Sequence, residues 1–123
     1  KKKVFMCFAL ATNTSLLVMD EPSNGLDIPS KSQFRKVIAS GMTDEKAVII
    51  STHQVRDIDS LLDHVVIIDG TRVLLNESVK TICEKLYFVE QGMNESTDTA
   101  LYVQPSVQGN SVIFPNTYNE ERI

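Results

Sequence analysis

The sequence has few cysteines, no long apolar run and no excess of basic residues. Its 123 residues include 12 Lys and Arg against 16 Asp and Glu, a formal net charge of −4, which argues against a nucleic-acid-binding surface as the main function. Cys7 and Cys83 are far apart in apolar helical patterns, so we expect two reduced thiols packed as small hydrophobes. The apolar run from Val4 to Ala11 is far below the roughly 20 residues that a membrane span needs. It predicts a helix buried against a sheet.

The most informative stretch is an apolar strand that ends in two acids. Leu16 to Met19 are all apolar, which is typical of a short strand buried on both faces of a parallel sheet. Pro22 cannot donate to a sheet ladder and ends the strand directly after Asp20 and Glu21. Both carboxylates are therefore expected at the carboxyl edge of the sheet, where open α/β proteins place ligands. An acidic pair there is suited to holding a hydrated magnesium ion and activating a water molecule.

A helix and a second strand follow the acidic strand. Pro29 fits a first helical residue, and apolar residues at helical spacing continue to Gly41. Ala47 to Ile50 is another short apolar strand, and a strand–helix–strand order predicts a right-handed parallel crossover. This crossover would place residues 20–21 and residues 51–53 side by side.

The remaining sequence predicts two more helices, a hairpin and a β-rich tail. Apolar spacing predicts helices over residues 55–62 and 78–86, and a central Asp-Gly turn predicts a hairpin over residues 65–75. Beyond it, short β-rich runs alternate with turn residues. We therefore place a boundary near residue 86, between an α/β domain (1–86) and a small accessory β-rich extension (87–123) that is expected to be truncated.

Two motifs resemble those of one family of ATPases. The sequence of residues 16–27, LLVMDEPSNGLD, resembles the Walker B motif and D-loop of ABC-type ATPases. Residues 49–53, IISTH, are similar to the switch-histidine loop of that family, and His53 follows Glu21 at the expected distance of about 32 residues. The resemblance implies the C-terminal half of an ABC nucleotide-binding domain, which has a P-loop NTPase fold with parallel strands and flanking helices. It further implies the ATP-hydrolysing subunit of an ABC transporter, of the exporter type.

The resemblance also implies a role for each motif residue. Asp20 would bind Mg²⁺ through water, Glu21 would be the general base that polarises the attacking water, and His53 would hydrogen-bond the γ-phosphate of ATP. Asp27 matches the D-loop aspartate at the dimer interface. The implied cofactors are ATP and Mg²⁺, and the implied partners are a second nucleotide-binding domain and a transmembrane permease. The implied location is peripheral, at the cytoplasmic face of the membrane.

Each of these residues also has an ordinary structural interpretation. The acidic pair is a common way to end a strand, and a histidine after a strand is often a loop residue or a helix cap. Asp27 is suited to an Asx-type turn before the helix that starts near Pro29. His64 matches no family motif and is expected to be structural.

Several family motifs have no counterpart in this sequence. The chain contains no Gly-x-x-x-x-Gly-Lys-Ser/Thr phosphate loop, so the backbone and lysine that carry most nucleotide affinity are missing. The Q-loop glutamine and the Leu-Ser-Gly-Gly-Gln signature are also missing, and the signature would fall just before Lys1. The resemblance covers about residues 1–86. We therefore expect a fragment that by itself neither binds ATP tightly nor hydrolyses it.

Other functions remain open from the sequence. A non-transport ABC ATPase of translation or chromosome maintenance would carry the same motifs. A phosphorelay receiver domain also has an aspartate at a strand end, but it needs an acidic pair on an earlier strand, and residues 1–15 contain no acid. The β-rich extension would be a regulatory or dimerisation element in a further interpretation.

Overall fold

The computed structural model describes residues 2–117 of the chain. Contacts divide the chain into two compact units, the first ending at Leu62 and the second beginning at Asp63. The boundary near residue 86, between the α/β domain and the β-rich extension, stays a prediction. The end of the β-rich extension, residues 118–123, lies outside the described residues.

The first unit alternates helices and strands in the predicted order. Its elements are α1 (Lys2–Ala11), β1 (Leu16–Asp20), α2 (Ile28–Gly41), β2 (Ala47–Ser51) and two short 3₁₀ helices (Val55–Asp57 and Asp59–Leu61). β1 and β2 pair in parallel, with Leu16 opposite Ala47 and Asp20 opposite Ser51. The predicted parallel pairing of these strands is therefore confirmed.

The core of the first unit lies between α2 and one face of the strand pair. Phe34 and Ile38, which are four residues apart and so share one face of α2, are buried with Met19 of β1 and Ile58. Partly buried apolar side chains surround these four residues: Met6, Leu10, Leu17, Leu26, Val48, Ile50, Leu61 and Leu62. The core thus fixes β1 and β2 beneath α2, and with them the positions of their carboxyl ends.

The strands and the first helix are less covered than the sequence predicts. On the face of the strand pair away from α2, Val18 is 65% exposed and Ile49 is 55% exposed. Helix α1 packs against the core through Met6 and Leu10, whereas its outer face, including Phe5 and Phe8, is exposed. The predictions that β1 is buried on both faces and that α1 is buried are wrong, because the described residues cover only one side of each element.

The cysteines are both free thiols, as expected, but they differ in their surroundings. Cys7 is exposed on α1, and Cys83 is partly buried. The expectation that both pack as small hydrophobes is therefore wrong for Cys7, because only one side of α1 meets the core.

The predicted helix over residues 55–62 is also wrong. Two 3₁₀ helices replace it, and they meet at Ile58, whose φ of −131° lies outside the helical region. Ile58 is buried in the core, while Val55 remains exposed. Burial of this one side chain therefore interrupts the helix. The chain forms short 3₁₀ turns instead, of the kind that often connect larger elements.

The second unit is mostly antiparallel. Its elements are β3 (His64–Asp69), β4 (Arg72–Ser78), α3 (Val79–Lys85), β5 (Leu86–Gln91), β6 (Tyr102–Ser106) and β7 (Gly109–Pro115). β3 and β4 form the predicted hairpin, with Gly70 at a φ of +55° in its turn. β5, β7 and β6 form a three-stranded sheet with β7 in the centre. The predicted hairpin and last helix are confirmed, and strands are present where short β-rich runs were predicted after residue 86. The role of residues 87–123 as an accessory extension stays a prediction.

Helix α3 is capped by Ser78, whose side chain accepts a hydrogen bond from the Thr81 N–H at 3.0 Å. In the sheet that follows, Val112 of the central strand β7 is the most buried side chain, at 1% exposure.

Among residues 2–117, no helix is both long enough and apolar enough to cross a membrane.

Candidate functional site

The carboxyl ends of β1 and β2 bring the acidic pair and the histidine loop together. Asp20 and Ser51 are opposite each other in the parallel register, and the Ser51 hydroxyl donates a hydrogen bond to Oδ1 of Asp20. The Glu21 N–H donates to the carbonyl oxygen of Ser51 at 2.8 Å. The strand ends are therefore held together up to the residues that we predicted as functional.

The Glu21 carboxylate contacts the loop after β2 through both of its oxygens. Oε1 accepts a hydrogen bond from the His53 backbone N–H at 3.0 Å and lies 2.6 Å from Nδ1 of His53. Oε2 accepts a hydrogen bond from the Thr52 hydroxyl at 3.0 Å. An ionised carboxylate only accepts hydrogen bonds, so Nδ1 of His53 carries the proton in this contact.

The backbone at Glu21 has an unusual conformation. Its φ is +44°, in the left-handed region that residues other than glycine seldom adopt. Such a conformation costs of order 1 kcal/mol or more and persists where surrounding contacts hold it. The hydrogen bonds to Ser51, Thr52 and His53 provide these contacts.

These contacts shift the ionisation of Glu21. The hydrogen bond with the His53 side chain is the main cause that lowers the pKa of the Glu21 carboxyl below its usual value of 4.5. Partial burial works in the opposite direction, while the Thr52 hydroxyl and the His53 N–H lower the pKa further. Glu21 is therefore ionised at neutral pH.

Asp27 lies apart from these strand ends, at the start of α2. Its Oδ1 accepts a hydrogen bond from the Ser30 N–H at 2.9 Å, so Asp27 is the N-cap of the helix. Gly25, two residues earlier, has a φ of +76°, which favours glycine at that turn. Asp27 therefore has a structural role as a helix cap instead of in the predicted Asx-type turn, because Pro29, two residues on, has no N–H to donate. The cap is compatible with a second role at an interface.

The remaining histidine takes a structural role. Nε2 of His64 lies 2.8 Å from Oδ1 of Asn76, across the hairpin of β3 and β4. This contact ties the two strands together, as expected for a residue outside the motifs.

Sequence patterns did not predict the hydroxyl partners of the two acids. Asp20 at the end of β1 is oriented by the hydroxyl of Ser51, the last residue of β2, and Glu21 after β1 is oriented by the hydroxyl of Thr52 after β2. The predicted crossover contained part of the signal, because it placed residues 20–21 beside residues 51–53, and the structure makes Ser51 the direct partner of Asp20. The sequence contained no such signal for the contacts of Lys31 with Gln54 and Asp57, which lie close to the His53 loop.

Asp20 fits a water-mediated magnesium ligand. Mg²⁺ often keeps several waters and binds proteins through one or two carboxylates, with substrate phosphates supplying further oxygens. Asp20 provides one exposed carboxylate, oriented by Ser51. Among residues 2–117 no group of three or more His, Cys, Asp and Glu side chains is placed to hold a metal ion.

The carboxyl ends of β1 and β2 place an acidic pair at one edge of an α/β unit, the position at which open α/β proteins bind ligands. Comparison with known proteins shows which proteins the chain resembles. No protein-family model matches the chain. Over most of its length, however, the chain is homologous at a distance to ABC transporter ATP-binding proteins, which confirms the resemblance of its motifs to that family.

Three relatives illustrate this homology. The chain is 29% identical over 90 residues to an uncharacterized ABC transporter ATP-binding protein of Methanocaldococcus jannaschii, covering 73% of this chain and 34% of that protein. It is 32% identical over 82 residues to an energy-coupling factor transporter ATP-binding protein of Staphylococcus aureus (66% of this chain, 29% of that protein). It is 22% identical over 130 residues to the Nod factor export ATP-binding protein I of Neorhizobium galegae (100% and 38%). The chain therefore spans about a third of the length of the curated relatives it matches.

Proposed function

We propose that the chain is the C-terminal half of the nucleotide-binding domain of an ABC transporter, in the subunit that hydrolyses ATP. The observation that carries this proposal is the contact between Glu21 and His53. These residues come from two separate motifs, 32 residues apart, and they meet at 2.6 Å at the carboxyl edge of parallel strands. Homology to ABC transporter ATP-binding proteins supports the same function.

In the proposed reaction a water molecule attacks the γ-phosphate of ATP in line, so that a bond from the water oxygen to the γ-phosphorus forms while the bond to the β,γ-bridging oxygen breaks. The products are inorganic phosphate and ADP, which is the leaving group. Asp20 would hold Mg²⁺ through water, and the ion would supply positive charge to balance the developing charge on the phosphate oxygens. Glu21 orients the attacking water and accepts its proton. The lowered pKa keeps Glu21 ionised, although it also makes the carboxylate a weaker base.

The contact between Glu21 and His53 sets a condition on this mechanism. A neutral His53 that donates from Nδ1 to Glu21 presents only an acceptor at Nε2, which does not suit a phosphate oxygen. His53 therefore donates to the γ-phosphate either as an imidazolium or after it has released Glu21. Release of the imidazole would also leave Oε1 of Glu21 with only the His53 backbone N–H, so that it could accept from the attacking water, and the two residues would become active together.

The whole protein would be the cytoplasmic, membrane-peripheral subunit of a transport complex. It would bind ATP and Mg²⁺, pair with a second nucleotide-binding domain and act on a transmembrane permease. Relatives named as transporter subunits favour this function over ABC ATPases of translation or chromosome maintenance. The match of an export ATP-binding protein to the entire chain supports the exporter type.

ATP hydrolysis by a longer version of the polypeptide, extended before Lys1 to include the phosphate loop and signature, tests this function. We expect magnesium-dependent turnover, and we expect Glu21→Gln to keep ATP binding while turnover falls by about 100- to 10,000-fold. The matched control is Glu45→Gln, which changes an exposed carboxylate in the turn before β2 and should leave turnover unchanged. Absence of ATP binding in the unmodified polypeptide would contradict the proposal.

The 123-residue chain provides a separate test of the fragment. We expect it to show no magnesium-dependent ATP turnover, because its sequence contains no phosphate loop. Turnover that disappears in Glu21→Gln would show that this expectation is wrong.

A further inference from the structure

A lysine on the first turns of α2 holds the segment that follows His53. Nζ of Lys31 lies 2.7 Å from Oδ2 of Asp57 and donates a hydrogen bond to Oε1 of Gln54 at 3.2 Å. Gln54 and Asp57 flank the first 3₁₀ turn after His53. One ammonium group therefore fixes both ends of that turn.

The surroundings of Asp57 strengthen this attachment. The Lys31 and Asp57 side chains are 24% and 15% exposed, so their ion pair is shielded from much of the solvent. Nη1 of Arg35, one helical turn beyond Lys31, donates to the backbone oxygen of Asp57 at 3.1 Å. Two cations of α2 thus hold the side chain and the backbone of the same residue.

The buried hydroxyl of Ser23 also lies at this attachment. Ser23 is 1% exposed, and its hydroxyl meets no described group in good hydrogen-bond geometry. It is nevertheless near enough to help lower the pKa of the Asp57 carboxyl, after the larger effect of Lys31. Since Ser23 directly follows Pro22, the segment between Glu21 and Asp27 also lies close to the ion pair of Lys31 and Asp57.

From Gln54 the contacts continue to the acidic site. The Gln54 N–H donates to Oγ1 of Thr52 at 3.0 Å, and the Thr52 hydroxyl donates to Oε2 of Glu21 at 3.0 Å. The Gln54 side-chain nitrogen lies 3.5 Å from Nε2 of His53. A shift of Gln54 would therefore reach both partners of Glu21.

In the other direction the contacts lead to Asp27. The Lys31 N–H donates to the backbone oxygen of Asp27 at 2.9 Å, and the Asp27 side chain caps the same helical turn. A rigid turn of helix therefore separates Asp27 from Lys31. The position of Asp27 and the position of Lys31 change together.

We propose that Lys31 is a positioning residue, which couples the segment ending at Asp27 to the contact between His53 and Glu21 by holding Gln54 and Asp57. A displacement of Asp27 by a partner domain would pass through the first turn of α2 to Lys31 and alter the hold of His53 on Glu21. The meaning of this coupling for catalysis rests on the function proposed above. The coupling itself is a property of the first unit and is measured without nucleotide.

Hydrogen exchange of the His53 backbone amide in the 123-residue chain tests the proposal, because this amide donates to Oε1 of Glu21. We expect Lys31→Met, which keeps an apolar stem and removes the charge, to lower the protection of this amide by about fivefold or more. Lys31→Arg should restore most of the protection. The matched control is Lys36→Met, an exposed lysine on the same helix, which should leave the His53 amide unchanged.

A double-mutant cycle separates coupling from simple loss of stability. Asp27→Ala should change the amide shift of His53 in the unmodified chain and change it much less in the Lys31→Met background. Additive effects of the two substitutions on the amide shift of His53 would overturn the proposal. So would unchanged protection of the His53 amide in Lys31→Met while the β1–β2 amides stay protected. If Lys31→Met does not fold, Gln54→Leu takes its place in the hydrogen-exchange test. This variant removes the contact of Lys31 with Gln54 and keeps the ion pair of Lys31 with Asp57. If the longer polypeptide did not bind ATP while this coupling was present, the proposed function would be wrong and the coupling would still stand.

Discussion

At the residue scale, the ionisation of Glu21 depends on donors from one loop. Thr52→Val removes the hydroxyl that donates to Oε2 of Glu21 while keeping a side chain of similar shape. We expect the pKa of Glu21 to rise towards its usual value of 4.5, because a donor to the ionised form is lost. The rise should be smaller than in His53→Ala, since the His53 side chain is the largest cause of the lowered pKa.

A carbon-13 NMR titration of the Glu21 carboxyl measures this effect. Thr43→Val is the matched control, because Thr43 is exposed in the loop before β2, and it should leave the Glu21 pKa unchanged. An equal pKa in Thr52→Val and the unmodified chain would show that the hydroxyl does not support the carboxylate.

The ion pair of Asp57 predicts a dependence of stability on pH. Lys31 is the main cause that lowers the pKa of Asp57 below its usual value of 3.8 in the folded chain. A carboxyl with a lowered folded pKa adds stability above the unfolded pKa, and this stability is lost as the pH falls through the folded pKa. Asp57→Asn should therefore be less stable than the unmodified chain at neutral pH, with a difference that narrows below about pH 4.

Urea unfolding at several pH values between neutral and acid measures this difference. Asp44→Asn, at an exposed position in the turn before β2, is the matched control and should change stability little at any pH. A deficit of Asp57→Asn that stays constant down to the lowest pH would contradict an electrostatic origin.

At the scale of elements, α2 depends on its N-cap. Asp27→Ala removes the side chain that accepts from the Ser30 N–H, and we expect a loss of about 1 kcal/mol in the free energy of unfolding. Asp27→Asn should retain most of the stability, because asparagine caps helices about as well as aspartate. Chemical denaturation of the three proteins measures both effects.

The asparagine variant also separates the two roles of Asp27. A cap alone predicts that Asp27→Asn preserves ATP turnover in the longer polypeptide together with stability. A role of the charge at a dimer interface predicts that stability is preserved while turnover falls. If Asp27→Asn is as unstable as Asp27→Ala, the capping contact is not what stabilises α2.

The elements differ in how well local sequence determines them. β1, α2 and β2 were predictable because Pro22, Pro29 and apolar runs mark their ends, and the parallel pairing of the strands followed from their order. This pairing also brought Glu21 and His53 together, so most of the candidate site was accessible from the sequence. The left-handed backbone of Glu21 was not, because contacts made by the distant loop after β2 hold it.

Burial was predicted less well than the elements themselves. The apolar sequences of α1 and β1 suit burial on all sides, but what covers a surface depends on neighbouring elements and not on the sequence beneath it. The 3₁₀ turns on either side of Ile58 were missed for a related reason, since the core draws Ile58 inward and interrupts the helical pattern.

At the scale of the whole molecule, the division into two compact units predicts separable stability. Val112→Ala removes two methyl groups from the most buried side chain of the second unit, and we expect a loss of about 1 to 3 kcal/mol there. Hydrogen exchange should quicken in β5, β6 and β7, while the amides of β1 and β2 keep their protection. The control is Val107→Ala at the fully exposed turn between β6 and β7, which should change neither unit. Equal loss of protection in both units would show that they unfold as one.

The open face of the β1–β2 pair predicts self-association of the 123-residue chain. Val18 and Ile49 are direct register partners, and both side chains are largely exposed on the face away from α2. Contiguous exposed apolar surface on a short sheet with unpaired edges favours association between chains.

Sedimentation velocity of Val18→Thr/Ile49→Thr should therefore show less self-association than the unmodified chain, with a small change in stability because threonine also suits strands. Val48→Thr, one residue away on β2 but packed against the core, is the matched control and should lower stability without reducing association. If the double variant associates as strongly as the unmodified chain, another exposed apolar surface is responsible, and the outer face of α1, including Phe5 and Phe8, is the next one to change.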